Sequence, residues 1–103
     1  MMKTYKMKRM RAMHAYELIF KGSVQGVGFR YHVYQCAIKS QVKGFVENLN
    51  DGTVKAIVQT TENSLDDFID EVFNTPYRLI KIDKIDINEI TPTETYQDFS
   101  IHY

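Results

Sequence analysis

Tyr16-Glu17-Leu18-Ile19-Phe20-Lys21-Gly22-Ser23-Val24-Gln25-Gly26-Val27-Gly28-Phe29-Arg30 is the stretch whose reading decides the fold. Its first six residues alternate, with Tyr16, Leu18 and Phe20 on one side, and this period of two predicts a half-buried strand. Glycines at 22, 26 and 28 then break the pattern. From Phe29 to Ser40 the period changes, and Phe29, Val33, Cys36, Ala37 and Ser40 fall on one face of a helix. The glycine segment therefore joins a strand to a helix N-terminus.

Beyond it, Val42–Leu49 returns to extended character, and Asn50-Asp51-Gly52 is a hairpin turn signal. Thr53–Thr60 is the returning strand, with Val54, Ala56 and Val58 on one face. Leu65, Phe68, Ile69, Val72 and Phe73 then repeat at helical spacing, the stripe of a second core-facing helix. Asn63 or Ser64 is expected to cap its start, and Thr75-Pro76 to stop it. Ile80–Ile90 reads as a strand with a slip near Asp83-Lys84, a sign of a bulge. Phe99, Ile101 and Tyr103 form a short closing strand. The order is β-α-β-β-α-β with an extra C-terminal strand. Two amphipathic helices on one face of an antiparallel sheet bury all these stripes, which is the α+β, two-layer ferredoxin-like sandwich.

A chain of 103 residues suits one such domain without disulfide or metal staples. The single cysteine, Cys36, has no internal partner, so nothing calls for an oxidising compartment. No apolar run approaches the roughly 20 residues of a membrane-spanning helix. A cytoplasmic protein that does not engage membranes is the simplest expectation, and a monomer is the expected state. Charge is neutral in total but unevenly placed. Lys3, Lys6, Lys8, Arg9 and Arg11 stand near the N-terminus without an acidic residue among them, which leaves eight basic against thirteen acidic side chains in the remainder. Residues 1–13 are thus expected to be a basic arm and residues 14–103 the domain. The acidic body argues against nucleic-acid binding, which needs a basic face.

The glycine segment can carry chemistry. Closely spaced glycines let successive N–H groups turn inward as an anion-binding nest, and the following helix adds its unpaired amides and dipole. Arg30 supplies a planar, permanently charged fork that matches phosphate oxygens. The pattern is neither a Walker A loop nor a Gly-x-Gly-x-x-Gly fingerprint. The same residues equally describe a plain strand-to-helix turn with a surface arginine, and these considerations leave both readings open.

Gly22-Ser23-Val24-Gln25-Gly26-Val27-Gly28-Phe29-Arg30 followed by Gly44-Phe45-Val46-Glu47-Asn48 resembles the signature pair of the acylphosphatase family. The resemblance spans residues 15–103, including the ending Phe99-Ser100-Ile101-His102-Tyr103. It implies hydrolysis of a small-molecule acyl phosphate to a carboxylate and inorganic phosphate, without metal or other cofactor, with inorganic phosphate as product and inhibitor. By position, the resemblance implies that Gly22, Ser23, Val24, Gln25, Gly26, Val27 and Gly28 cradle the phosphate and Arg30 binds it. Asn48, on the neighbouring strand, would hold the attacking water. The chain departs from the pattern at Leu49, where some relatives carry a hydroxyl side chain, and in its N-terminal arm.

Other candidates are weaker. His14, His32 and His102 match no metal-ligand spacing, so no metal site is expected. His32 lies two residues from Arg30 on another helical face and is expected to be solvated. Cys36 reads as core rather than nucleophile, and Asp66, Asp67, Asp70 and Glu71 as the outer face of the second helix. A rival reading is an RNA-binding or regulatory module without hydrolase activity. Lys43-Gly44-Phe45-Val46 echoes the RNP1 motif, but Glu47 stands where a stacking aromatic belongs.

Overall fold

A computed structural model describes residues 13–103. The expected basic arm, apart from Met13, lies outside the described residues. Seven elements follow in order: β1 His14–Ser23, α1 Phe29–Ser40, β2 Lys43–Asn48, β3 Val54–Thr60, α2 Glu62–Phe73, β4 Lys81–Ile90 and β5 Phe99–His102. The five strands form one sheet in the order β4-β1-β3-β2-β5. This is the expected sandwich with one correction. β5 pairs parallel with β2, so the sheet is mixed rather than antiparallel.

The alternation of each strand explains how the layers join. Leu18, Ala56 and Val46 oppose one another across β1, β3 and β2, as do Tyr16, Val58 and Gly44 in the next row. All six are buried, and they meet Phe29, Val33, Cys36 and Ala37 of α1 and Leu65, Phe68 and Val72 of α2. The other face of the sheet mixes charged and apolar side chains, with Glu17, Ile19, Phe45, Glu47, Lys55 and Ile57 half-buried there. The slip expected in the last long strand is present. Lys21 pairs with Lys84 and Gly22 with Ile82, so Asp83 is the extra residue of a bulge.

Two details of α2 differ from expectation. Its N-cap is Thr61, whose hydroxyl accepts from the Ser64 amide at 3.4 Å, rather than Asn63 or Ser64. The helix starts early because Thr61 leaves β3 in extended conformation with its side chain already beside the first turn. Phe73, the last helical residue, is 44% exposed. The Asn50-Asp51-Gly52 turn forms as expected. Asp51 Oδ1 accepts from both the Thr53 amide at 3.0 Å and the Thr53 hydroxyl at 2.6 Å. These bonds hold the Asp51 carboxyl below its ordinary pKa.

At Gly44 the backbones of β2 and β3 leave no room for a side chain. The glycine has a φ of +137°, and a methyl group there would overlap the Ile57 carbonyl oxygen and crowd the Ile57 and Val58 backbone. Backbone cannot yield as a flexible side chain can, so Gly44→Ala is expected to destabilise the protein by about 3 kcal/mol. Urea unfolding checks this, with the midpoint lowered and the slope unchanged. A midpoint equal to that of the parent would mean that β2 and β3 separate freely at this point.

Candidate active site

Strand direction gathers the site. β3 runs antiparallel to both β1 and β2, so β1 and β2 point the same way, and β5 runs parallel to β2. The ends of all three therefore lie at one edge of the domain, where the chain leaves β1 and enters α1. A concavity of about 170 Å³ opens there, lined by Val24, Gly26, Gly28, Phe29, Arg30, Tyr31, Asn48, Ile101 and Tyr103. A bulk water occupies about 30 Å³, so the space suits a group of several heavy atoms.

The turn is built by conformation. Gly26 and Gly28 have φ of +75° and +81° with open space where a side chain would stand, so glycine is needed for the left-handed backbone rather than for room. Gly28 is the N-cap of α1 and supplies no side chain to the first-turn amides, in which no acidic residue stands either. Those amides and the positive end of the helix are left to whatever occupies the concavity. The contrast is with α2, whose first turn is capped by Thr61.

Arg30 and Asn48, eighteen positions apart in the sequence, line the same space. Arg30 is held rather than free. Its Nη1 donates to the His102 carbonyl at 3.0 Å, and its guanidinium carbon lies 4.8 Å from the centre of the Tyr103 ring. One bond of this kind leaves most of the guanidinium donors for an anion. Asn48 is the last residue of β2 and opposes Val54 of β3, which in turn opposes Phe20 of β1. It therefore faces the helix layer at the end of the sheet. Its Oδ1 is buried and has no hydrogen-bond partner among the described residues.

The other residues expected in the cradle divide. Val24, Gly26 and Gly28 line the concavity. Gly22 and Ser23 are the last residues of β1, paired with Ile82 and Lys81. Val27 packs against the core. Gln25 sends its side chain to the β2–β3 turn, donating from Nε2 to the Leu49 carbonyl at 2.7 Å and to the Thr53 carbonyl at 2.8 Å. The sequence carried no sign of that reach. Nor did it show that residues 101–103 complete the site, since a short terminal strand does not announce its partner.

His32 is a correction. It is buried, not solvated, because α1 crosses α2 at this point. Its Nε2 donates to the Val72 carbonyl at 2.9 Å, and the Tyr77 ring stands edge-on to it at 5.6 Å. Cys36 is core, as expected, with its thiol 3.9 Å from His32 Nδ1. Phe45 stacks on the His102 ring at 4.1 Å with 7° between planes, so the face that a nucleobase would use is taken. Among the described residues no group of three or more His, Cys, Asp or Glu could hold a metal ion. Among them, too, no helix is long and apolar enough to cross a membrane.

The two-layer α+β domain thus gathers an uncapped helix N-terminus, a held arginine and a strand-end asparagine around one hollow. Comparisons with known proteins identify the family. The acylphosphatase family profile matches residues 16–101. An acylphosphatase of Ligilactobacillus salivarius is 42% identical over 91 residues, which cover 88% of this chain and all of that one. The crystal structure of acylphosphatase from Bacillus subtilis superposes with a TM-score of 0.79 at 38% identity, over 89% of this chain and all of that one. The probable carbamoyltransferase HypF of Methanocaldococcus jannaschii contains a similar segment, 41% identical over 79% of this chain, which makes up 10% of that protein. The chain belongs to the acylphosphatase family, and it is a hydrolase of acyl phosphates.

Burial pushes the Cys36 thiol up to about 11 from an ordinary value of 9.0, and the Glu71 carboxylate adds to the rise. The folded state thus keeps a proton there that the unfolded chain loses. Stability from this group is complete below pH 9 and falls as pH rises from about 9 to 11. Cys36→Ala is expected to flatten that decline in pH-dependent urea unfolding, and native Cys36 to resist iodoacetamide at pH 8. Rapid alkylation with loss of turnover would instead make the thiol accessible and functional.

Proposed function

We propose that the turn from Val24 to Gly28 and the first turn of α1 hold the phosphoryl group, that Arg30 grips its oxygens, and that Asn48 presents the attacking water. The observation that carries this reading is the meeting of Arg30, Asn48 and an uncapped helix N-terminus around one concavity. The unpartnered Oδ1 of Asn48 supports it, because a buried acceptor left without a donor is costly unless something visits it.

The chemistry asks little of the protein. The carboxylate of an acyl phosphate is a good leaving group, so no covalent intermediate with the enzyme is required. Water attacks phosphorus, the bond from phosphorus to the acyl oxygen breaks with its electron pair leaving on the carboxylate, and the proton of the water passes to a phosphoryl oxygen. The products are a carboxylate and inorganic phosphate. Catalysis then consists of charge neutralisation by Arg30 and the amides, and alignment of one water by Asn48. Inorganic phosphate fits the same cradle and is a competitive inhibitor on this reading. Its single cysteine, which has no partner within the chain, suits a reducing compartment such as the cytoplasm.

Arg30→Ala is expected to raise KM, lower kcat and weaken phosphate inhibition together, because the anion is present in both ground and transition states. Asn48→Ala is expected to lower kcat on the order of 10²–10³-fold while phosphate affinity stays near that of the parent. Steady-state kinetics on benzoyl phosphate with a phosphate Ki for each folded variant decides. Phosphate bound equally well by Arg30→Ala would place the cradle elsewhere, and native kcat in Asn48→Ala would remove the water-holding role.

EDTA is expected to leave turnover unchanged. A loss restored by magnesium or zinc would show that the reaction needs a metal ion.

A further inference from the structure

Gln25 sits in the middle of the turn that lines the concavity, yet its side chain points to a different task. Nε2 donates both of its protons, to the Leu49 carbonyl at 2.7 Å and to the Thr53 carbonyl at 2.8 Å. Leu49 and Thr53 are the closing pair of the β2–β3 hairpin, joined by the Leu49 amide to the Thr53 carbonyl at 2.9 Å. The carboxamide therefore adds one more rung beyond the last pair of the ladder, which is Asn48 with Val54. An amide nitrogen has two protons, so a nitrogen engaged in this way has none left for a phosphate oxygen.

The effect falls on Asn48. Its side-chain oxygen has no partner among the described residues, so hydrogen bonding does not fix it from the side-chain end. Its position follows from its backbone, and the peptide that leaves Asn48 ends at Leu49, whose carbonyl is one of the two that Gln25 holds. The turn itself is stiffened by Asp51, which bonds Thr53, and by the Gly52 amide, which donates to the Leu49 carbonyl at 3.2 Å, contacts that stay within the hairpin. Among the described residues, the hydrogen bonds of Gln25 tie this hairpin end to the turn before α1.

We infer that Gln25 is a positioning residue, which sets the distance between the phosphate turn and Asn48 by bridging the Leu49 and Thr53 carbonyls, and whose side chain does not bind phosphate. The inference rests on the assignment of the attacking water to Asn48. Loss of the bridge lets the β2–β3 end move relative to the bound phosphoryl group, and a misplacement of about 1 Å costs on the order of 10²-fold in rate.

The test is a double-mutant cycle on benzoyl phosphate with Gln25→Met, Asn48→Ala and both together. Methionine keeps the length and removes the donors. Gln25→Met is expected to lower kcat about 10-fold to 10²-fold with KM and the phosphate Ki within about twofold of the parent, and to cost nothing further in the Asn48→Ala background. A phosphate Ki that rises with the loss of kcat would make Gln25 a phosphate ligand and overturn the inference. An equal cost in both backgrounds, or no cost in either, would overturn it as well. Asn48→Ala with native kcat would instead show that the water assignment is wrong, and this inference would fall with it. Should Gln25→Met not fold, the parent protein decides by NMR. Its Gln25 side-chain amide protons are expected to be protected from exchange and to stay in place through a phosphate titration, whereas a large shift of those two signals would refute the bridge.

Discussion

The pairing of β3 antiparallel to β1 on one side and to β2 on the other is the constraint from which the site follows. It makes β1 and β2 parallel in direction without a bond between them, so the exit of β1 and the end of β2 lie at the same edge. β5 joins β2 in the same direction and brings residues 101–103 to that edge too. Reaching this position requires a crossing, because β4 and β5 occupy opposite edges of the sheet. Polar contacts fasten the connection. Gln59 donates from Nε2 to the Glu94 carbonyl and accepts from the Tyr96 amide at 3.0 Å, Lys43 donates to the Gln97 carbonyl at 3.0 Å, and the Gly44 amide donates to the Asp98 carbonyl at 2.9 Å. With these in place β5 is held in register although it has only four residues.

That register reaches Arg30 through His102. The backbone of His102 accepts the Arg30 Nη1 bond, while the His102 ring lies against Phe45 on the outer face of the sheet. Phe45 also meets Tyr96 of the crossing segment edge-on at 5.8 Å, and the Lys55 ammonium lies 5.8 Å from its ring centre. The arginine is thus anchored from within the site by a carbonyl whose own position is set on the opposite side of the sheet. A guanidinium already restrained loses less freedom when it binds an anion, which is the gain expected of preorganisation.

What the sequence displays and what it hides divide along a physical line. Periodicity reports how one element meets a core, and it was legible wherever burial is one-sided: Tyr16, Leu18 and Phe20, Val54, Ala56 and Val58, and Leu65, Phe68 and Val72 are all buried as their spacing requires. It does not report which elements touch. His32 shows this well, since its spacing from Arg30 is compatible with solvent, and only the crossing of α1 over α2 puts the Val72 carbonyl against it. The parallel pairing of β5 was hidden for the same reason, because no turn signal links it to β2. Arg30 and Asn48 could be singled out through family resemblance, whereas the reach of Gln25 to Leu49 and Thr53 depends on a loop meeting a hairpin 24 and 28 residues away. The cap at Thr61 is a local miss. Three candidate caps stand within four residues, and the end of the preceding strand decides among them.

The charge around the concavity bears on how such a site works. Among the described residues that line it, Arg30 is the one charged side chain, and no side-chain carboxylate or imidazole joins it. The nearest acid in sequence to Asn48, Glu47, faces the other side of β2, where it pairs with Lys55 at 3.2 Å and approaches His102 Nδ1 at 3.9 Å. The alternation of the strand thus separates two adjacent polar residues, placing the neutral one toward the concavity and the anionic one away from it. A carboxylate in the place of Asn48 would have added a negative charge to the concavity that Arg30 lines, offsetting its positive charge. An amide orients water through its dipole without that added charge and without titrating near neutral pH. In the proposed mechanism this is why a neutral side chain suffices: the leaving group is already activated, so the site needs a fixed positive charge and a fixed water more than it needs a base.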